Sequence, residues 1–183
     1  MTFDLKKEFK HLYAPSAKDF TLVDVPPLNY LMVDGAGDPN TAPAYREAVE
    51  SLYRASYAAR KAAGQKHVVA PLEGLWWADD LGAFSARDKG AWQWTMMIAQ
   101  PSFVTAEMVP EGVRFESFDE GRCAQILHVG SYDDEAPTLA RLHDEWLPAH
   151  SLKERGKHHE IYLSDPRKVE TAKLRTVLRQ PVE

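Results

Sequence analysis

One acidic side chain interrupts the run His158-His159-Glu160-Ile161-Tyr162-Leu163. Extended chain sends successive side chains to opposite faces, so Glu160 and Tyr162 share one face while Ile161 and Leu163 share the other. Two readings of Glu160 are open. It is a solvent-facing glutamate, or it points into a ligand cleft. In the second case burial lifts its pKa above the usual value of about 4.3 unless a cation or a hydrogen-bond donor stands beside it. A carboxylate in an aromatic pocket pairs with a cationic ligand, or takes a proton from water as a general base. Glu73, next to Gly74 and the Trp76-Trp77 pair, is a second candidate for the same work. Tyr30, Tyr132 and Tyr162 lie in or at the ends of apolar runs. A tyrosine O–H placed there can hydrogen-bond a substrate carbonyl and steady the negative charge that develops on it. The candidate catalytic set is therefore Glu160, Glu73 and Tyr132.

The tryptophans cluster: of five, four fall between Trp76 and Trp94. Alternation puts Trp92, Trp94 and Met96 on one strand face. That face is either plain core or a flat, polarisable wall for an aromatic ligand. Methionines beside it would let the wall adapt to different shapes. Trp76, Trp77, Trp94, Met96, Tyr162 and Tyr30 are the candidate ligand contacts.

Other chemistries find no support. The seven histidines fall into no metal-ligand spacing: His158 and His159 are adjacent, and His143 and His150 lie on either side of Pro148. No metal and no cofactor is expected. Cys123 is the lone cysteine, which excludes an intrachain disulfide and a cysteine-based zinc cluster. There is no Gly-x-Ser-x-Gly elbow and no Walker loop, and Gly35-Ala36-Gly37 lacks the third glycine of a dinucleotide fingerprint.

The elements that must position these residues follow from periodicity. Residues 1–25 read as an N-terminal arm with little pattern. After Pro26-Pro27, Tyr30-Leu31-Met32-Val33 reads as a strand and Asp34 to Pro39 as its loop. A helix follows, capped by Asn40 or Thr41 with Pro43 in its first turn. Its apolar stripe is Tyr45, Ala48, Val49, Leu52, Tyr53 and Ser56, and Gly64 ends it. His67 to Leu72 reads as a strand continued by Glu73 to Trp77, Asp79 to Gly90 as a polar loop, and Ala91 to Ile98 as the partner strand. The pattern then restarts. Cys123 to Gly130 is a strand, Ala136-Pro137-Thr138 opens a helix that Pro148 kinks or divides, and His159 to Leu163 and Lys173 to Leu178 are strands. Strand, helix, strand, strand occurs twice at an offset of roughly 95 residues. The expected fold is α+β with antiparallel sheet: a single domain over 26–183, with module one at about 26–100, a linker at about 101–121 and module two at about 122–181. Two such modules are expected to make a cleft along a pseudo-twofold axis.

Composition bounds the partners. The chain has 183 residues, 22 basic and 27 acidic, with a net charge of −5. That balance disfavours nucleic acid. No window approaches the roughly 20 apolar residues of a membrane span. The start Met1-Thr2-Phe3-Asp4-Leu5-Lys6-Lys7 has no apolar leader, so a cytoplasmic location is expected.

Three stretches resemble the GyrI-like small-molecule-binding domain: Pro71-Leu72-Glu73-Gly74-Leu75-Trp76-Trp77; Trp94 to Pro101; and His159 to Pro166 together with Lys173 to Arg179. The resemblance runs over roughly residues 20–182 and implies two strand-helix-strand-strand modules of SHS2 type around a central ligand cleft. In regulators of that family an acidic residue in an aromatic pocket pairs with lipophilic cations, and Glu160 is the matching position. The helix-turn-helix domain of those regulators has no counterpart here. The tryptophan-rich, stand-alone form resembles cyclopropanoid cyclopropyl hydrolases, which detoxify DNA-alkylating natural products by adding water to a strained ring. The resemblance thus implies an aromatic small molecule as partner, with hydrolysis or capture as the outcome. A gyrase-directed, partner-binding role is the remaining alternative.

Overall fold

The structure, a computed structural model, describes residues 1–79 and 87–183. Part of the Asp79 to Gly90 loop therefore lies outside the described residues. The chain is α+β, and its residues divide into two compact units, Met1–Glu8 with Pro27–Asp119 and Phe9–Pro26 with Glu120–Glu183.

In the first unit, β2 (Leu28–Ala36), β3 (Leu72–Trp77), β4 (Gln93–Gln100) and β5 (Arg114–Phe118) form an antiparallel run in the order β5-β2-β4-β3. The helix α3 (Pro43–Ala62) carries Ala48, Leu52, Ala55, Ser56 and Ala59 on its buried face. Small residues there let the helix lie close to its sheet. Its N-cap is Ala42, which gives no side-chain cap; Pro43 opens the first turn as expected. Asn40 is occupied elsewhere, its backbone and side chain both bonded to Asp38 Oδ1 at 2.9 and 3.1 Å. The strand expected from His67 begins only at Leu72. His67 makes an isolated bridge to Phe3, and Pro71, which has no N–H to give a ladder, separates the two. The stretch read as a linker contains β5, paired with β2 from Leu28↔Phe118 to Met32↔Arg114.

The second unit contains β1 (Thr21–Val25), β6 (Gly121–Val129), β7 (His158–Tyr162) and β8 (Arg175–Pro181), antiparallel in the order β1-β6-β8-β7. The residues read as an arm supply two short helices, α1 (Leu5–Glu8) and α2 (Lys10–Tyr13), and then β1. Between β6 and β7, α4 (Ala136–Arg141) widens over Leu142–Trp146 into a π turn and ends as α5 (Leu147–Ala149). Pro148 explains the widening: its ring clashes with the carbonyl four residues back and it has no N–H to bond there. Leu142 and Leu147 from this segment pack with Phe20, Ala124, Ile126, Leu178 and Val182 as the core of the unit. Each unit thus presents strand, helix, strand, strand with one further edge strand, in the same sheet order.

Candidate functional site

The site grows from the pleat of β7. His158, Glu160 and Tyr162 share a face, and the register sets Glu160 opposite Leu178 and Tyr162 opposite Thr176. Leu178 belongs to the core under the helical segment, so this is the helix-covered face. On the same face His128 of β6 lies opposite Thr176. The His128 ring donates from Nε2 to the Ser131 carbonyl at 2.7 Å, and the Gly130 N–H donates to the Leu174 carbonyl at 2.8 Å. Gly130 has φ 136°, which a residue with a Cβ rarely adopts. These bonds fix the turn that delivers Tyr132 and then Glu135, the last residue of a 3₁₀ turn over Asp133–Glu135.

Glu160 is 9 % exposed. Its Oε2 takes a 2.8 Å bond from His158 Nε2, and its Oε1 takes a 2.9 Å bond from the Tyr162 hydroxyl. Burial pushes the carboxyl up. The His158 hydrogen bond and charge, with donation from Glu135 and Tyr162, outweigh burial and hold Glu160 below the ordinary carboxylate range. The Tyr132 ring meets the Tyr162 ring edge to face at 5.8 Å. Burial, helped by the charges of Glu160, Glu135 and Asp165, pushes the Tyr132 hydroxyl up to about 12, so it stays a proton donor. Glu135, His158 and Glu160 each place one donor atom within 4.8 Å of the other two, and all three are buried. The arrangement can hold a fixed negative charge beside two phenol hydroxyls, or bind a cation.

The other face of the same strands carries a buried ionic network. Glu120 accepts from His159 Nδ1 at 3.0 and 2.8 Å and from Arg179 at 3.3 Å. Arg179 also donates to Gln125 Oε1 at 3.2 Å and to the Leu12 carbonyl at 2.8 Å. Burial pushes the Glu120 carboxyl up, and the charges and hydrogen bonds of His159 and Arg179 bring it below its ordinary value. This network is structural: it ties α2 to the sheet of its unit.

Of the sequence-predicted site residues, Glu160, Tyr162 and Tyr132 come together in the second unit. Glu73, Trp76, Trp77, Trp94, Met96 and Tyr30 belong to the first. There Trp94 is 0 % exposed, donates from Nε1 to the Gly37 carbonyl at 3.3 Å, and meets Tyr45 of α3 edge to face at 5.4 Å. Trp76 lies opposite Trp94 and packs on Trp92 at 5.7 Å. Met96 is fully buried opposite Gly74. Glu73 is buried opposite Met97, on the same β3 face as the half-buried Trp77. Tyr30 packs edge to face on Phe118 at 6.2 Å. Sequence reasoning missed Glu135 and His158. The spacing of His158 to Glu160, two residues on one strand, was a usable signal. Glu135 had none, because only the fold brings its turn to β7.

A buried, ionised carboxylate flanked by phenols offers a charge and hydrogen-bond donors to a small ligand. The family model for the GyrI-like small molecule binding domain matches residues 18–183, and the chain belongs to that family. Among solved structures, a conserved protein of Listeria innocua is 38% identical with a TM-score of 0.91, each chain covered in full. Two structures of proteins named as hydrolases from Listeria innocua are 38% and 37% identical, with TM-scores of 0.88 and 0.85, also over the full length of both chains. The C-terminal domain of EcmrR shares the fold, with a TM-score of 0.66 at 13% identity over 90% of this chain and 97% of that one. Comparison with curated proteins gives no match. No described helix is long and apolar enough to cross a membrane.

Proposed function

We propose that this protein binds lipophilic aromatic small molecules and hydrolyses those that carry an electrophilic cyclopropane. The observation that carries the reading is the Glu160 carboxylate, ionised while buried, with Tyr162 bonded to it and the neutral Tyr132 hydroxyl beside them. Full-length relatives at 37–38% identity that are named as hydrolases add support. In such a substrate the ring is conjugated to a carbonyl. Water, positioned by Glu160, gives a proton to the carboxylate as its oxygen bonds the ring carbon. The strained C–C bond breaks, and its electron pair moves through the conjugated system to the carbonyl oxygen. That oxygen takes the Tyr132 proton, and the proton on Glu160 restores the tyrosine. The balance is substrate plus one water. The former ring carbon is retained as an alcohol carbon that is no longer electrophilic, so detoxification of DNA alkylators in the cytoplasm is the biological expectation.

One observation favours a second reading, capture without turnover. A carboxylate held below the ordinary range is a weak base and a good partner for a lipophilic cation. Glu160→Gln separates the two. The protein is incubated with a duocarmycin-type alkylator, and the gain of one water is followed by mass spectrometry. Hydrolysis predicts turnover by the natural chain, and a variant that binds the alkylator but turns it over at least a hundredfold more slowly. Unchanged turnover in the variant removes Glu160 as base. No turnover by the natural chain, with loss of affinity for lipophilic cations alone in the variant, leaves capture.

A further inference from the structure

Glu135, His158 and Glu160 form a donor set that neither binding nor hydrolysis requires as a set. Each contributes one metal-competent atom, and the three atoms lie within 4.8 Å of one another. All three residues are buried, Glu135 at 2 % exposure, His158 at 8 % and Glu160 at 9 %. Without an ion the pair is relieved by the Glu135 proton, which Glu135 donates to Glu160, and by the His158 imidazole beside it; a divalent cation seated between the carboxylates can take the place of that proton. The imidazole beside them supplies a nitrogen donor.

We propose that this cluster is a binding site for a divalent transition-metal ion, Zn²⁺ foremost, held by one carboxylate oxygen each from Glu135 and Glu160 and by Nε2 of His158. Bonds of about 2.0–2.2 Å to such donors place them about 3.4 Å apart in a tetrahedral site. The 2.8 Å from His158 Nε2 to Glu160 Oε2 and the 4.8 Å span of the cluster bracket that value, so an ion needs only small shifts to enter. The remaining oxygen of Glu160 already accepts from Tyr162, the kind of outer hydrogen bond that orients a ligating carboxylate. Two of the ligands sit on β7, held against β8, and the third sits on the turn fixed by His128 and Gly130. An imidazole nitrogen in the set favours Zn²⁺ over Mn²⁺, Ca²⁺ and Mg²⁺, which prefer oxygen donors. Three protein donors leave a coordination position for water, the arrangement of open rather than structural zinc sites.

The test is a calorimetric titration of the full chain, stripped with chelator, with ZnCl₂ and separately with MnCl₂. No organic ligand is present, so the result is independent of whether the protein hydrolyses anything. The expected result is one ion per chain. Glu135→Ala and His158→Ala each weaken it at least tenfold. His143→Ala, which removes a surface histidine paired with Glu154 at 3.1 Å, leaves it unchanged. Circular dichroism reports folding, and Glu135→Gln, which keeps shape while losing charge, replaces Glu135→Ala if that variant unfolds. Absence of binding by both ions at millimolar concentration overturns the proposal. So does binding that disappears with His143→Ala and survives the Glu135 variants.

Discussion

Removing Glu120 tests the physical account of the second unit. The side chain is 2 % exposed and is the shared acceptor of His159 and Arg179, which are more deeply buried still. Glu120→Ala leaves the Arg179 guanidinium in a dry site without its Glu120 counter-charge, while the neutral Gln125 and Leu12 oxygens still receive its donors. Breaking one partner of a buried ion pair costs about 3–5 kcal/mol. For a chain of this length each kcal/mol moves the melting temperature by about 2–4 °C, so a fall of about 6–20 °C is expected. The assay is thermal and urea denaturation of both proteins at pH 7. The double variant Glu120→Leu with Arg179→Met, which removes both charges and fills the space, recovers most of the loss. The sign with pH is also fixed. The folded pKa of Glu120 lies below its ordinary value of 4.5. Its stabilisation is therefore complete above about pH 4.5–5 and is lost as pH falls through the folded value, so the gap between wild type and Glu120→Ala closes on acidification. A melting temperature within about 2 °C of wild type at pH 7, or a gap that widens in acid, refutes the reasoning.

Three further outcomes follow from the same geometry. Gly35→Ala places a methyl group inside the volume of the Trp94 indole, so it destabilises by about 1–3 kcal/mol or more, read as a lowered urea midpoint at unchanged slope. Leu178→Ala opens a cavity in the core beside Glu160 and costs about 2–5 kcal/mol in the same assay. Tyr162→Phe removes a hydroxyl donor from the Glu160 carboxylate, worth about 1.5–3 kcal/mol for a charged acceptor. The folded pKa of Glu160 then rises, and the acid limb of lipophilic-cation binding, followed by fluorescence, moves up by about 1–2 pH units; an unmoved limb contradicts Glu160 as the group that holds the cation.

The repeated elements were legible because their periods are strong. The helix α3 and the β4, β6 and β7 runs appear within one or two residues of their expected bounds, although Tyr53 of the expected α3 stripe is exposed and Ala55 and Ala59 lie on the buried face instead. What sequence could not weigh was competition for the same groups. Asn40 reads as a helix cap, and its side chain is spent on Asp38. Residues 21–25 and 114–118 look unremarkable alone because they are edge strands, whose faces alternate weakly, and only their partners β6 and β2 define them. Gly35 reads as a loop glycine after Asp34. The register sets it in β2 opposite Trp94, where a missing Cβ is what admits the indole.

The candidate site shows the same limit from the other side. Alternation alone placed Glu160 and Tyr162 together, and two more steps along the same rule reach His158. Adjacent histidines on a strand were read as facing apart and therefore as no metal pair. That premise is right, since His159 turns to Glu120 and His158 to Glu160. It leads away from a metal only while each histidine is weighed against other histidines. A strand that presents histidine and glutamate at positions two apart needs one more donor from elsewhere, and the tight turn after β6 supplies Glu135. The informative local pattern is therefore His-x-Glu on one pleat face next to a turn rich in acids, of which only Glu135 is buried, and the chemistry of the site rests on that third group, which local sequence cannot place.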